Sequence, residues 1–529
     1  MSDVYKRPEP KDAWLAGALM LFLFMLLSSG TTGSGDAMVR YRVAQSIARH
    51  GDIALSESSS TTVEGRNGKT YSTYGIGQSL LFLCPELCVR LVCKAVGSDC
   101  DSSVWEDVSI GLSSVFLLPA VSAMGLAFLY LLLGELGFDR RVASVTTMLA
   151  GCGSLLLPYA KFHQEENQVA ALAFAAVFFC IRFNNQGGVR YGVIGALLCW
   201  SPMWFRTTAI SESLPIAILL SYFAFKSGER RERSTILFTL VASGAVTAGW
   251  ILFYNWYRFG SVTDTGYLAA WEKQGHLRGG SLMHGNFFEG MIGPIAHPSR
   301  SLFLYSPLIL LSLVGAFLAL KDRIGKPVAI TALSVLSISI LIPAGVRVWG
   351  GDTAWGPRHQ VAGHALLLAF GAYLWSRWRE LSRPMRALCV FISSCAIMVQ
   401  MIAVAFNFNL EYNRGMPHTW DKESVREWYA ISESQIPLRL DSLARFGDVW
   451  TKSPREPRDS IEEYSVPAFL PWKLSQRFGP RVWLIAVLMW LAGWVAWGFS
   501  CRKFLAGQFN DEEPVTTANS VAMENNACG

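Results

Sequence analysis

Three polar stretches of this chain carry the side chains that could do chemistry. The first runs from Gly33 to Asp52 and contains Asp36, ahead of a helical pattern that puts Met38, Tyr41, Ala44, Ile47 and Ala48 on one side. Arg42, Gln45, Ser46 and Arg49 fall on the other side. The second is the short run Lys161-Phe162-His163-Gln164-Glu165-Glu166-Asn167. The third is Trp349-Gly350-Gly351-Asp352-Thr353-Ala354-Trp355-Gly356-Pro357-Arg358-His359, where glycines and Pro357 make a tight turn ahead of Arg358. Carboxylates from two loops at one depth suit a general base, and a guanidinium beside them could clamp a phosphate bidentately. The same residues have plainer uses. Asp36 is a natural N-cap, with Gly51 as the helix stop. Glu165 and Glu166 suit a helix start, and Arg358 suits pairing with a lipid headgroup.

The elements that must position these groups follow from composition. Of 529 residues, 51% are hydrophobic and 16% charged. A soluble protein of that length could not cover so much apolar surface, so a polytopic membrane protein, all-α in class, is expected. The formal charge of +6 is small, and its distribution matters more than its total. Eleven cysteines form no CxxC pair, which excludes a zinc ribbon or a redox motif of that kind. Cys93 and Cys100 are near enough to pair, while most of the others read as buried thiols.

The first apolar segment, from about Ala13 to Ser29, follows Lys6, Arg7 and Lys11 and reads as an uncleaved span. Others lie near 75–96, 109–134, 142–160, 168–183, 191–206, 209–225, 235–255, 301–320, 328–344, 361–376, 387–406 and 481–500. If all thirteen cross, the basic loops around Arg230 and Lys321 fall outside, against the positive-inside rule. If 75–96 does not cross, every basic loop moves inside, from Asp139-Arg140-Arg141 to Arg502-Lys503. That segment also carries Pro85, Glu86, Arg90 and Lys94, a poor lipid-facing set. The expectation is therefore about twelve transmembrane helices, with 75–96 re-entrant or interfacial within a long first outer loop, 30–108. Residues 1–406 form the transmembrane core, 407–480 an outer loop or small subdomain, 481–503 the last span and 504–529 a disordered cytoplasmic tail.

Arg258, Arg300, Arg347 and Arg358 then lie outside, against the charge rule. Gly65-Arg66-Asn67-Gly68-Lys69-Thr70 resembles the end of a P-loop, but Val63 replaces the leading glycine and no strand–helix context follows. His163, His359 and His364 lack metal-ligand spacing, and no Ser-His-Asp arrangement can be placed.

Taken together, "SGDAMVRYRVAQSIARHGDIAL", "GKTYSTYGIGQSLLFL", "YNWYRFGSVTDTGY" and "GGDTAWGPRHQ" resemble bacterial polytopic glycosyltransferases of the GT-C superfamily. The nearer relatives are of the family-39 type, akin to protein O-mannosyltransferases and the lipid A aminoarabinose transferase. The resemblance covers most of residues 14–375 and weakens after about residue 400. It implies an inverting transferase of the plasma (inner) membrane, using a polyprenyl-phosphate sugar at an extracytoplasmic site. The family's first-loop aspartate matches Asp36, its second acid matches Glu165 or Glu166, and a phosphate-binding arginine corresponds to Arg358. Relatives often read "YSKYG" where Thr73 stands here, which leaves Lys69, Lys161 or an arginine for that lysine's phosphate contact. Arg358, Arg347, Lys69, Tyr41, Tyr71, Tyr74, His163, Trp355 and His359 are the expected substrate contacts.

No metal or other cofactor is expected, since a lipid-phosphate leaving group does not itself require one. The expected partners are membrane lipid, the lipid-linked donor and a glycan, lipid or protein acceptor, with no nucleic acid. Two alternatives stand beside this reading: a transporter or flippase of lipid-linked saccharide, and a non-catalytic envelope-assembly protein. A transporter should carry charge near mid-membrane in paired halves. Glu135, Arg182, Arg206 and Glu212 instead fall near segment ends.

Overall fold

The computed structural model describes residues 8–273, 285–346, 349–351, 354–407, 434–444, 469–471, 473–474 and 480–509. It is an all-α membrane protein, with one small hairpin as its sheet among the described residues. Helix α1 (Pro10–Leu27) starts on a reciprocal Glu9–Asp12 capping pair with proline at its first position. A loop leads to α2 (Gly35–His50), a two-stranded hairpin of β1 (Thr62–Glu64) and β2 (Thr70–Ser72), and α3 (Gly77–Ala95). The bundle continues with α4 (Ser103–Glu135), then α5, a pair of helices (Arg140–Gly153 and Leu156–Phe162) bent by 54° at their break. After these come α6 (Glu166–Gln186), α7 (Val189–Trp200), α8 (Thr207–Lys226), α9 (Arg230–Phe259) and α10 (Tyr267–Lys273). The later helices are α11 (Phe287–Ala296), α12 (Leu308–Ala319), α13 (Gly325–Ala344), α14 (Val361–Leu368), α15 (Arg383–Ala405), α16 (Gln435–Ala444) and α17 (Pro480–Phe509).

Among the described residues, eight helices are long and apolar enough to cross a membrane, or nine if bent α5 is one span. Each of the twelve expected segments has a helix, but α7 and α12 have only 12 residues and α14 only 8. At 1.5 Å per residue, 12 residues reach about 18 Å, short of a hydrocarbon core of about 30 Å. Helix α7 continues as a 3-10 turn, Ser201–Trp204, and α14 continues through Ala369–Gly371 to Ala372–Trp375. Segment 75–96 forms α3, a helix that is not among those eight: it holds Pro85 and buries Glu86. The last helix runs to Phe509, six residues beyond the expected end, and most of 407–480 lies outside the described residues.

Helices meet closely where small residues allow it. A Cβ on Gly125 of α4 would stand 2.8 Å from the Cβ of Ala171 on α6. Elsewhere the outer faces stay apolar: Phe238, Val241 and Val246 of α9 are mostly exposed, as a lipid-facing side requires. Cys93 and Cys100 form a disulfide that ties the end of α3 to the loop before α4.

The N-cap of α2 is Ser34, whose hydroxyl accepts from the amide of Ala37, and not the expected Asp36. Both types can cap, but Asp36 sits in the first turn and its carboxylate is drawn to a distant guanidinium instead. Gly51 closes the helix in the left-handed conformation, as expected. Ala37, Tyr41 and Ala44 face Phe82, Ile110 and Leu118, which fixes the rotation of α2 and turns Asp36 and Arg40 the other way.

Candidate active site

Four carboxylates come to one end of the bundle because each begins a helix. Asp36 and Glu166 lie in the first turns of α2 and α6, Glu165 is the N-cap of α6, and Glu212 lies in the first turn of the helix Ile210–Lys226. The positive ends of those helices favour acids there. Between them stand guanidiniums. Arg358 Nη1 lies 2.9 Å from Asp36 Oδ2, its Nε 2.7 Å from Glu166 Oε1, and its Nη2 3.6 Å from Glu165 Oε2. Arg40 Nη2 lies 2.6 Å from Glu165 Oε2, with its guanidinium over the Tyr74 ring. Arg206 bridges Glu166 and Glu212, at 3.4 Å to each.

Arg40 joins the site because four residues turn an α-helix by about 400°, which returns it to the face of Asp36. Tyr41, one position further, is carried to the buried side, where its hydroxyl donates to Glu86 at 2.8 Å.

Three of these carboxylates, Asp36, Glu165 and Glu166, border a cavity of about 360 Å³. Asp36, Glu165, Glu166, Arg206 and Arg358 form its charged end. One apolar wall is a column of rings: Trp204 stacks on Trp250 at 5.1 Å, and Trp250 on Tyr254 at 6.0 Å. The Arg258 guanidinium caps that column, 3.8 Å from the Tyr254 centroid. Trp250, Tyr254 and Arg258 recur every four residues on α9, hence on one face. Ile342, Pro343 and Val346, at the end of α13, complete the lining.

Burial alone would push the Asp36 carboxyl up. Arg358 and Arg40 outweigh it, with the Tyr74 hydroxyl adding to their effect, and hold Asp36 below the usual carboxylate range. Burial likewise opposes the charge of Arg358, but Glu166, Asp36 and Glu165 push its pKa well up. His359 is pushed down to about 3, by burial first and then by Arg358 and Arg206, so its ring is neutral.

Arg258 differs from the other three arginines in its partners. Its nitrogens donate to the carbonyls of Tyr254, Ser72 and Tyr74 and to the Asn255 side chain, all of them neutral. Its charge is therefore met by dipoles, whereas Arg358, Arg40 and Arg206 are ion-paired.

Of the side chains singled out from the sequence, Asp36, Glu165, Glu166, Arg358, Tyr74 and His359 line the cavity. Lys69, Tyr71, Tyr41, His163 and Trp355 stand outside its wall. Lys69 follows the turn Arg66–Gly68 of the hairpin, and its ammonium lies 2.6 Å from Asp52. Tyr71 packs edge-on against Tyr257 and Phe259. His163 is fully buried in a left-handed turn, its carbonyl accepting from Gln78. Trp355 packs under Tyr305 with the Arg439 guanidinium 4.8 Å from its ring. Arg347 lies outside the described residues. Arg40, Arg206, Trp204, Trp250, Tyr254 and Tyr267 belong to the site without having been proposed for it. The sequence signals among them were the spacing of Arg40 from Asp36, that of Trp250 from Tyr254, and the place of Tyr254 and Tyr267 at the ends of the stretch YNWYRFGSVTDTGY.

Among the described residues, no group of three or more histidine, cysteine, aspartate or glutamate side chains is placed to hold a metal ion. The fold and this cavity define a multi-pass membrane protein with an ion-paired, aromatic-walled site at one end of its helices. Set against protein-family models and curated proteins, the chain matches none.

Proposed function

We propose that this protein is an integral-membrane glycosyltransferase that moves a sugar from a polyprenyl-phosphate donor to an extracytoplasmic acceptor, with inversion. The observation that carries this reading is the meeting of Asp36 and Arg358, 322 residues apart in sequence, at 2.9 Å in a cavity that is ionic at one end and aromatic along its wall. A lipid-linked sugar has the same two-part character, with a charged phosphate beside the sugar and a hydrocarbon tail behind it.

In the proposed reaction, the acceptor's hydroxyl or amine attacks the anomeric carbon while Asp36 takes its proton. The new bond forms as the bond from the anomeric carbon to the phosphate oxygen breaks, and the lipid phosphate leaves with that electron pair. Arg358 meets the charge that develops on the leaving group, and Arg258, whose present partners are neutral, adds to it without losing an ion pair. Glu165 and Glu166 hold Arg358 and Arg40 in place and border the space for the acceptor.

On this reading the chain crosses the plasma (inner) membrane twelve times with both termini in the cytoplasm, which leaves the site on the outer side. The distribution of arginine and lysine supports that orientation.

The test is sugar transfer from a polyprenyl-phosphate donor by the purified wild type and by Asp36→Asn, after both are shown to fold alike. Asp36→Asn should lower transfer by about 10²- to 10⁴-fold. Equal transfer by both would remove Asp36 from the mechanism. No transfer by the wild type with any of several donor sugars would overturn the reading in favour of transport or assembly.

A further inference from the structure

The turn that delivers Arg358 does not hold its own shape. Gly356 has φ +63°, a left-handed conformation, and a Cβ there would stand 2.8 Å from the Tyr305 Cβ. Residues Ala354–Pro357 form no helix or strand, so their backbone groups must find partners elsewhere.

Several of those partners come from outside the turn. The Gln435 amide bridges it: its Nε2 donates to the Ala354 carbonyl at 2.9 Å, and its Oε1 accepts from the Gly356 amide at 3.0 Å. Arg300 Nη1 donates to the carbonyls of Ala354 and Gly356 and to Gln435 Oε1. The Tyr159 hydroxyl donates to the Trp355 carbonyl at 3.1 Å. Gln435 is in turn fixed by its own helix, α16. Arg439, one turn on, donates to the carbonyls of Ile402, Ala403, Phe406 and Asn407, and the Ser434 hydroxyl donates to the Pro298 carbonyl. Gln435 and Arg439 are both buried.

We propose that Gln435 is a positioning residue for Arg358: by pairing with both sides of the turn, it sets the register in which that guanidinium reaches Asp36, Glu165 and Glu166. A side chain from the polar stretch 407–480 thereby sets the electrostatics of the candidate site, from a position outside the cavity wall. The effect on catalysis rests on the transferase reading, but the bracing does not. An amide suits the task because it donates on one side and accepts on the other.

The experiment uses full-length protein in lipid nanodiscs, comparing wild type, Gln435→Ala, Gln435→Glu and the exposed control Leu440→Ala. Hydrogen exchange is followed at the amides of Gly356 and of Arg358 through Val361. Gln435→Ala should speed exchange at Gly356 by about tenfold, with the acceleration carried on through Gln360 and Val361. Gln435→Glu keeps an acceptor for Gly356 but loses the donor to Ala354, and should fall between. Leu440→Ala should match wild type. Unchanged exchange in Gln435→Ala, or acceleration that stops at Gly356, would overturn the proposal whether or not transfer is detected.

Where transfer is measured, the acid limb of its pH profile gives a second readout. With Arg358 loosened, the Asp36 pKa rises, so activity in Gln435→Ala should begin to fall at a higher pH than in wild type. A lower rate with an unmoved limb would show a weakened fold and no role in positioning.

Discussion

Two arginines flank the turn Ala354–Pro357, and they are held by opposite kinds of partner. Arg358 faces three carboxylates, all at helix N-termini, and keeps 14% of its side chain exposed toward the cavity. Arg439 is wholly buried and donates to carbonyls at the C-terminal end of α15 and just beyond it. Each placement suits the helix dipoles, with acids at the positive ends and a cation at the negative end. The consequences differ. A guanidinium bound to carbonyls fixes backbone, because losing it leaves several buried acceptors unpaired. A guanidinium bound to carboxylates also sets their protonation and can trade one anion for another. The first kind builds the site and the second can work in it.

That contrast can be broken most visibly at Arg358. Arg358→Ala should lower sugar transfer by about 10²- to 10³-fold while the protein still folds, as checked by purification yield and melting temperature. The surviving activity should also lose its tolerance of acid. Asp36 has its pKa held down by Arg358, so it stays ionised below the usual carboxylate range and the wild-type rate should persist there. As pH falls through the depressed pKa, the base is protonated and transfer stops. Without Arg358 that fall should come at a higher pH, and a profile that did not move would separate Asp36 from the rate. Arg439→Met should behave in the reverse way. It should cost roughly 2–4 kcal/mol of stability through unpaired carbonyls, seen as a lower melting temperature. Any change in transfer should follow the loss of folded protein, with the pH profile of the remainder unmoved.

The two arginines were not equally legible. Arg358 stands where a glycine- and tryptophan-rich turn meets an apolar segment, and Asp36, Glu165 and Glu166 each stand at the head of another. Apolar runs and charge asymmetry are local, strong signals, so the membrane class and the helix at each expected segment could be read from them. Their meeting point could be anticipated only as a matter of shared depth. Arg439 and Gln435 lie inside the long polar stretch between the apolar segments 387–406 and 481–500, about thirty residues or more from either, and their partners are largely backbone atoms that leave no mark on composition. Asp36 against Ser34 as the cap of α2 was undecidable for another reason. Both types cap well, and the choice was made by a guanidinium more than 300 positions away. The short helices α7, α12 and α14 show the limit of hydropathy, since an apolar run gives no warning of the 3-10 turns that follow α7 and α14 or of the break at Ser306-Pro307 that delays the start of α12.

The smallest expected effect sharpens the comparison from the other side. Lys69 is a cation in the same first loop as Asp36, and it was a candidate for a phosphate contact because Thr73 stands where a lysine was expected. Its ammonium lies 2.6 Å from Asp52, half-exposed at the hairpin, and it does not line the cavity. Exposed pairs of this kind are screened by water and salt and contribute little. Lys69→Ala should therefore change kcat and the donor KM by less than about twofold, at low and at high salt alike. A large rise in donor KM at low salt would mean that Lys69 leaves Asp52 to reach the phosphate. In that case the cationic side of the site would extend out to the hairpin, and burial would no longer separate the working cations from the structural ones.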